Sequence, residues 1–304
     1  MTRASVSRIR ARPLLGTFVE IAAAGEAVAE VEQAIEAAFA AIETVQRLMS
    51  FHEPASDVSR LNRAACERPV AVHPWTFAVV TAARAVHDSS GGAFDIAIAP
   101  VLQDLGLLPA PDQGARAAFG RPATTGSIAL LADGRIGFRD PGLRIDLGGI
   151  AKGFAVDRAL DVLRARGIVA ALVNAGGDLA CFGVATRAIE IRHPVTPGAT
   201  LCTVGLLDAA LASSASRHGS TMSADLSPAA IIEPATGREA RDVIAASVRA
   251  STCMIADALT KVVMIQGTGA AAVLTRYGAD ALMMMADGAM LATTDWDRMQ
   301  LHAA

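Results

Sequence analysis

The residues best suited to chemistry sit where glycines crowd charged side chains. In Ile145-Asp146-Leu147-Gly148-Gly149-Ile150-Ala151-Lys152-Gly153-Phe154-Ala155-Val156-Asp157, a short apolar run enters paired glycines and leaves into a helical pattern. Glycines let backbone N–H groups approach a ligand closely, and a helix N-terminus favours anions. Lys152 adds a positive charge at that end. The segment satisfies neither GxxxxGK followed by Ser or Thr nor GxGxxG. It reads either as a phosphate or nucleotide cradle of another kind or as a plain strand–turn–helix joint. A second cluster, Ser90-Gly91-Gly92-Ala93-Phe94-Asp95, offers exposed backbone, an aromatic face and a carboxylate, parts that could hold a purine or a sugar. The same residues would also serve as a helix C-cap followed by a capped helix. Asn174-Ala175-Gly176-Gly177-Asp178-Leu179 reads as a tight turn at a strand end. In Ala256-Asp257-Ala258-Leu259-Thr260-Lys261, Asp257 and Lys261 share a helix face at i,i+4, which by itself predicts a surface ion pair of about 0.3–0.5 kcal/mol.

The elements that must position these clusters follow from hydrophobic period. Val28, Val31, Ala34, Ile35, Ala38, Phe39, Ile42, Val45 and Leu48 recur at helical steps and predict an amphipathic helix over 27–49. Residues 75–88 give a second helix, closed by Gly91-Gly92. The Pro-, Gly- and Ala-rich stretch 108–127 reads as loop, and Arg144–Leu147 as a short strand. A helix over Ala155–Arg166 stops at Gly167, and Val169–Asn174 follows as a buried strand. Ile189–Arg192, Cys202–Leu207, Ala209–Ser213, Asp242–Ser247 and Ala281–Met285 read as strands, with helices over Cys253–Gly267 and 268–277. Helices and strands mix without a strict βαβ rhythm, so the expected fold class is α+β. Arg60 and Asn62 are expected to stabilise a loop, Trp75 and Trp296 to anchor packing, and His218 to lie on an exposed turn.

Composition narrows the function classes. The chain has 304 residues, of which 52% are hydrophobic and 19% charged, which excludes global disorder. With 27 Lys and Arg against 30 Asp and Glu, the net charge of −3 argues against a general nucleic-acid binder. No uninterrupted apolar stretch of about 18 residues appears, so no membrane span is expected. The basic start has no apolar core followed by a cleavage site and no nearby Cys for a lipid anchor, so a cytoplasmic location is expected. Cys66, Cys181, Cys202 and Cys253 are far apart and read as free thiols. No HxxxH or HExxH pair suggests zinc.

Taken in order, Leu15-Gly16-Thr17, Met49-Ser50-Phe51, Ser56-Asp57-Val58-Ser59-Arg60-Leu61-Asn62, GGAFD, DLGGIAKGFAVD, NAGGD, EPATG and ADAL resemble the ApbE family, the FAD:protein FMN transferases. The resemblance runs from about Pro13 to Gly288, and the GGAFD, DLGGIAKGFAVD and NAGGD series is its most specific part. It implies a single T-fold-like ApbE domain over 13–290, with mixed or antiparallel sheet and packed helices, flanked by tails at 1–12 and 291–304. It also implies that the chain takes FAD as substrate with Mg²⁺. FMN would pass to a Thr or Ser hydroxyl of a target flavoprotein, and AMP would leave. Many members are exported lipoproteins. Carried over by position, the resemblance assigns Leu15, Phe51, Ala93, Phe94, Asp95, Asp146, Lys152 and Ile232 to FAD binding. It assigns the Gly149 carbonyl and Asp257 to the metal, with Thr260 as a possible further ligand. Catalysis would fall to Asp257, Lys261 and Lys152.

This sequence departs from the family pattern at informative places. Where the family has a metal-binding Thr four residues after the Asp, this chain has Lys261. An ammonium cannot ligate Mg²⁺, and Thr260 is displaced by about 100° around the helix. Either the metal is kept with fewer protein ligands and more water, or Lys261 supplies the cation itself. The family's HxxDP turn reads Ala230-Ile231-Ile232-Glu233-Pro234, and Phe51 replaces a common Tyr. Two other readings keep the same pocket: an FAD pyrophosphatase giving FMN and AMP, and an FAD-binding carrier or sensor without chemistry.

Overall fold

Arg8, Arg10 and Arg12 alternate with Ile9, Ala11 and Pro13, a period-two pattern that makes Val6–Leu14 a strand, β1. Thr17–Gly25 forms β2, antiparallel to β1 with Leu14 opposite Thr17. The connecting residues are Leu15 and Gly16, at φ 57° and 71°. A two-residue hairpin turn of this kind needs positive φ at both positions, which Gly16 supplies freely and Leu15 only with strain. The helix α1 (Val28–Met49) follows, and its Glu32 and Glu36 carboxylates meet Arg10 at 2.9 Å and Arg12 at 2.6 Å. The computed structural model describes residues 6–109, 123–216 and 230–296. His218 and part of the 108–127 stretch lie outside the described residues.

Among the described residues the main sheet has eight strands. After β1 and β2 come β3 (Ala170–Ala175), β4 (Asp178–Phe182), β5 (Ala209–Ala215), β6 (Val243–Ala250), β7 (Asp280–Met285) and β8 (Met290–Ala292). Their spatial order is their chain order, and every neighbouring pair is antiparallel. Such a meander brings successive turns to alternating ends of the sheet. Register fixes which ones: Leu14 faces Thr17, Val19 faces Ala175, and Ala175 faces Asp178. The Leu15-Gly16 and Gly176-Gly177 turns therefore lie at the same end. They touch there, because a Cβ on Gly176 would stand 2.5 Å from the Thr17 hydroxyl.

The chain divides into two compact units, Met1–Glu43 with Lys152–Ile231 and Glu239–Ala304, and Thr44–Ala151 with Ile232–Arg238. The first unit holds the main sheet. A helix at Cys253–Gln266, labelled α6 below, packs on β5 and β6. Elsewhere in the unit, Leu179, Cys181, Leu211, Leu282 and Trp296 form a core with a separate hairpin of Arg187–Arg192 and Thr200–Leu206. The second unit has helices α2 (Asp57–Ala64), α3 (Pro74–Ser89) and α4 (Ala99–Asp104). It also has a three-stranded sheet of Val70–Ala71, Arg135–Phe138 and Ile128–Leu130. α2 starts because Ser56 caps it, accepting from Ser59 N–H at 3.0 Å. α3 starts at Pro74, whose missing N–H costs nothing in a first turn. The other α-helices among the described residues are α5 (Ala151–Ala165), α6 and α7 (Ala271–Arg276).

The α+β class with an antiparallel sheet is as expected, and several local expectations are corrected. Residues 6–12 are strand rather than tail, because they pair with β2 residue by residue, and their arginines also meet α1. Of the other expected tail, Leu291 and Ala292 belong to β8, and Trp296 is fully buried in the core. Arg144–Leu147 is not a strand. The Ile145 backbone is satisfied by the side chain of Asn62, whose amide donates to Ile145 O at 2.9 Å and whose oxygen accepts from Ile145 N at 2.7 Å. Asn62 and Arg60 themselves lie on α2, and from there Asn62 holds the 144–147 backbone in place. Trp75 is half-buried at the start of α3. The helix expected from Ala155 already begins at Ala151, which puts Lys152 in its first turn. The run Cys253–Arg276 is apolar and long enough for a bilayer span. A 3-10 turn at Gly267–Ala270 interrupts it, and Cys253, Ala256, Leu259, Val262 and Val263 are buried in the first unit's core.

Candidate active site

In the first unit, α5 and α6 meet at Gly153. A Cβ there would lie 2.2 Å from the Cys253 carbonyl oxygen and 2.8 Å from Met254 Cα, so only glycine allows the approach. Two carboxylates join these helices. Asp157 on α5 accepts from the Cys253 and Met254 N–H groups at 2.8 and 2.9 Å, which are free donors at the start of α6. Asp257 on α6 accepts from the Gly153 N–H at 3.1 Å through Oδ2. Asp257 is fully buried, and its other oxygen, Oδ1, takes the ammonium of Lys261 one turn later. Lys261 Nζ also donates to the Asp257 carbonyl at 3.0 Å. Lys152, in the first turn of α5, reaches the Asp178 carboxylate at the start of β4 and lies 3.7 Å from Asp257 Oδ2. The Gly176-Gly177 turn that delivers Asp178 has φ of 67° and 104°, and the Asn174 side chain accepts from Gly177 N–H at 2.9 Å.

Two ammoniums and two buried carboxylates thus form one neutral group. Burial works against the charge on Lys152, but Asp257 and Asp178 outweigh it and hold its pKa above the usual lysine range. Burial also works against the Asp257 carboxylate, and Lys152 and Lys261 overcome it, so this pKa lies below the usual range. Asp178 is pushed up, first by burial and then by the Asp257 charge. The i,i+4 pair read from sequence as a surface contact is therefore an interior one, because Asp257 is 0% and Lys261 17% exposed at the side chain.

The donor set does not fit the divalent cation that the resemblance implies. Mg²⁺ takes six oxygens in near-ideal octahedral geometry. Asp257 Oδ1 and Oδ2 are already occupied by Lys261 and by Gly153. The Thr260 hydroxyl donates to the Asp257 carbonyl at 2.7 Å and lies 2.8 Å from Ser214 Oγ on β5. Gly149 sits in the turn before α5, where the Ile150 and Ala151 N–H groups donate to Leu147 O at 3.0 and 2.9 Å. No group of three or more His, Cys, Asp or Glu suited to a metal occurs among the described residues. A divalent cation would be the third cation of the cluster, and unit charges 4 Å apart at an effective dielectric of 20 repel by about 4 kcal/mol.

The second unit gathers another set of the sequence candidates. Phe94 is 4% exposed, so its ring is core rather than an open face. Asp95 caps a 3-10 turn at Ile96–Ile98, accepting from Ala97 N–H at 2.7 Å, Thr125 N–H at 3.0 Å and the Thr125 hydroxyl at 2.6 Å. Its carboxylate is thus committed to holding the segment together, the capping alternative of the sequence reading. Asp146 donates its N–H to Ile96 O at 2.8 Å and accepts from Gly148 N–H at 3.0 Å. Burial raises its pKa, opposed by that N–H and by His52. Phe51 is half-buried and stands edge-on to His52, 6.2 Å between ring centres. Ala93 is half-buried, and Ile232 is buried beside the turn in which Gly237 N–H meets Glu233 O. Leu15, in the first unit, occupies its strained turn.

Asp178 is the residue that site assignment from sequence passed over. Its only sequence signal is a carboxylate directly after Gly176-Gly177, the residue pair that ends a strand. Asp157 is likewise hidden within the DLGGIAKGFAVD run.

The antiparallel meander with its packed helices is the fold of solved ApbE proteins. The ApbE crystal structure from Thermotoga maritima superposes with a TM-score of 0.84 at 23% identity, covering 98% of this chain and all of that one. Flavin transferase ApbE from Vibrio cholerae does so with a TM-score of 0.81 at 23% identity, covering 97% and 100%. The chain belongs to the ApbE family, whose model matches residues 15–283. By sequence it is 27% identical to the FAD:protein FMN transferase of Treponema pallidum, over 91% of this chain and 84% of the relative. It is 30% identical to that of Vibrio cholerae, over 74% and 71%.

Proposed function

We propose that this chain is an FAD:protein FMN transferase. A Thr or Ser hydroxyl of a target flavoprotein attacks the FMN phosphorus of FAD. The bond from that phosphorus to the bridging oxygen breaks, AMP leaves with the bridging oxygen, and the hydroxyl proton is released to solvent. The observation that carries this reading is the Lys152 ammonium, set in the first turn of α5 by Asp178 and Asp257. A fixed cation held in place before the reaction stabilises charge building on a leaving phosphate without reorganisation. Burial of Asp178 and Asp257, at 2% and 0% exposure, keeps that cation from wandering. Phe51, Ala93, Phe94, Asp95, Asp146, Ile232 and Leu15 enter the proposal as FAD-binding positions through the family resemblance. For Phe94 and Asp95 the contribution is the shape of the backbone they hold, since ring and carboxylate are both committed.

The test incubates the protein with FAD and a flavoprotein domain carrying an acceptor Thr or Ser, then measures the acceptor mass. A gain of one FMN moiety with equimolar AMP is expected. Free FMN and AMP without labelling would make the chain a pyrophosphatase. Bound FAD that stays intact would make it a carrier.

A further inference from the structure

We infer that the cation at the phosphate-handling centre is part of the chain: Lys261 takes the place at Asp257 that a divalent metal would occupy, so the reaction needs no metal. This rests on the transferase reading above and specifies how its charge is managed. Asp257 is the fully buried carboxylate of the cluster, and its oxygens are divided between the Lys261 ammonium at Oδ1 and the Gly153 N–H at Oδ2. Lys261 is locked further by the Asp257 carbonyl at 3.0 Å. The neighbouring Thr260 hydroxyl is turned to Ser214 and to the same carbonyl, at 2.8 and 2.7 Å, and so leaves the carboxylate to the lysines. With Asp178 and Lys152 the group is neutral as built, so it has no charge deficit to draw in a divalent ion. The side chains of Lys152 and Lys261 keep 33% and 17% of their surface open, while both carboxylates are shut in. The cluster therefore turns its cations outward, the polarity an anionic diphosphate requires.

The experiment compares the metal-stripped full chain with its Lys261→Thr variant. One arm measures Mn²⁺ binding by electron paramagnetic resonance, for protein alone and for protein with saturating FAD against FAD alone. The other measures AMP release from FAD with acceptor, in excess chelator and in Mg²⁺. Wild type is expected to bind no Mn²⁺ beyond the FAD-alone control and to change rate less than about twofold between chelator and Mg²⁺. Lys261→Thr is expected to acquire Mn²⁺ binding and a dependence on Mg²⁺. A Lys261→Arg variant, which keeps the charge, is expected to remain free of Mn²⁺. Mn²⁺ bound by wild type, or a rate lost to chelator and restored by Mg²⁺, overturns the inference. Both wild-type results stand whether or not a variant folds. Failure of the transferase reading looks different: FAD is bound and no AMP appears under any metal condition, while the Mn²⁺ arm still decides for or against Lys261.

Discussion

Asp178 shows how a single side chain gains its role from its surroundings. It is 2% exposed, follows a glycine turn, and holds the ammonium of Lys152, 26 positions earlier in the chain. Replacing one member of such a pair leaves the other charge poorly compensated, at a typical cost of about 3–5 kcal/mol in the interior. Lys152 is 33% exposed and water would recover part of that loss. Asp178→Asn is therefore expected to lower the unfolding free energy by about 2 kcal/mol, read from urea melts. The transfer rate should fall by roughly 10²-fold with FAD affinity changed much less, because a cation displaced by about 1 Å no longer meets the charge it serves. A rate within twofold of wild type would mean that Lys152 is positioned by Asp257 alone.

At the scale of elements, the contact that organises the centre is backbone against backbone. α5 and α6 approach so closely at Gly153 that the Cys253 carbonyl fills the space a methyl group would need. Neither partner is the flexible end of a side chain, so nothing can yield without moving a helix. Gly153→Ala is expected to destabilise the protein by about 3 kcal/mol or more. It should also abolish transfer, because it breaks the N–H bond to Asp257 along with the crossing. The thermal midpoint and the transfer assay read these two effects separately. A variant with unchanged midpoint would show that the crossing is looser than described. The Leu15-Gly16 turn is the opposite case, where a non-glycine residue tolerates φ 57° at a sheet end that also carries Gly176-Gly177. Strain retained at such a place is common near functional sites.

For the whole molecule, stability should respond to pH through Asp157. Burial pushes its carboxyl up to about 6, against the pull of the Met254 and Cys253 N–H groups. The unfolded chain has the ordinary value of 3.8, so between the two values the folded state binds the extra proton. The stabilisation is complete below pH 3.8 and is lost as pH rises through about 6. At 1.36 kcal/mol per pH unit the difference is about 3 kcal/mol. Asp157→Asn, which stays neutral, removes this dependence. Urea midpoints of wild type should therefore fall relative to the variant between pH 4 and pH 7. A constant difference across that range would mean that the two N–H groups hold Asp157 ionised.

Sequence by itself determined the parts whose information is local. The helical stripe from Val28 to Leu48 gave α1, and the glycine-rich motifs marked the turns and helix start that carry Lys152 and Asp257. The family could be read from those motifs because their residues are contiguous. The edge strand β1 was not legible, since its arginines look like a basic tail until α1 supplies Glu32 and Glu36. Arg144–Leu147 looked like a strand because Ile145 and Leu147 alternate, yet the partner of Ile145 is the Asn62 side chain. Only tertiary structure decided that Asp257–Lys261 is an interior pair, that Thr260 turns to Ser214, and that Asp178 belongs to the cluster. Burial and long-range pairing are set by which surfaces meet, and a charge's worth depends on the water removed from it. A spacing of four residues along a helix is the same in solvent and in a core, so the sequence could give the pair but not its energy.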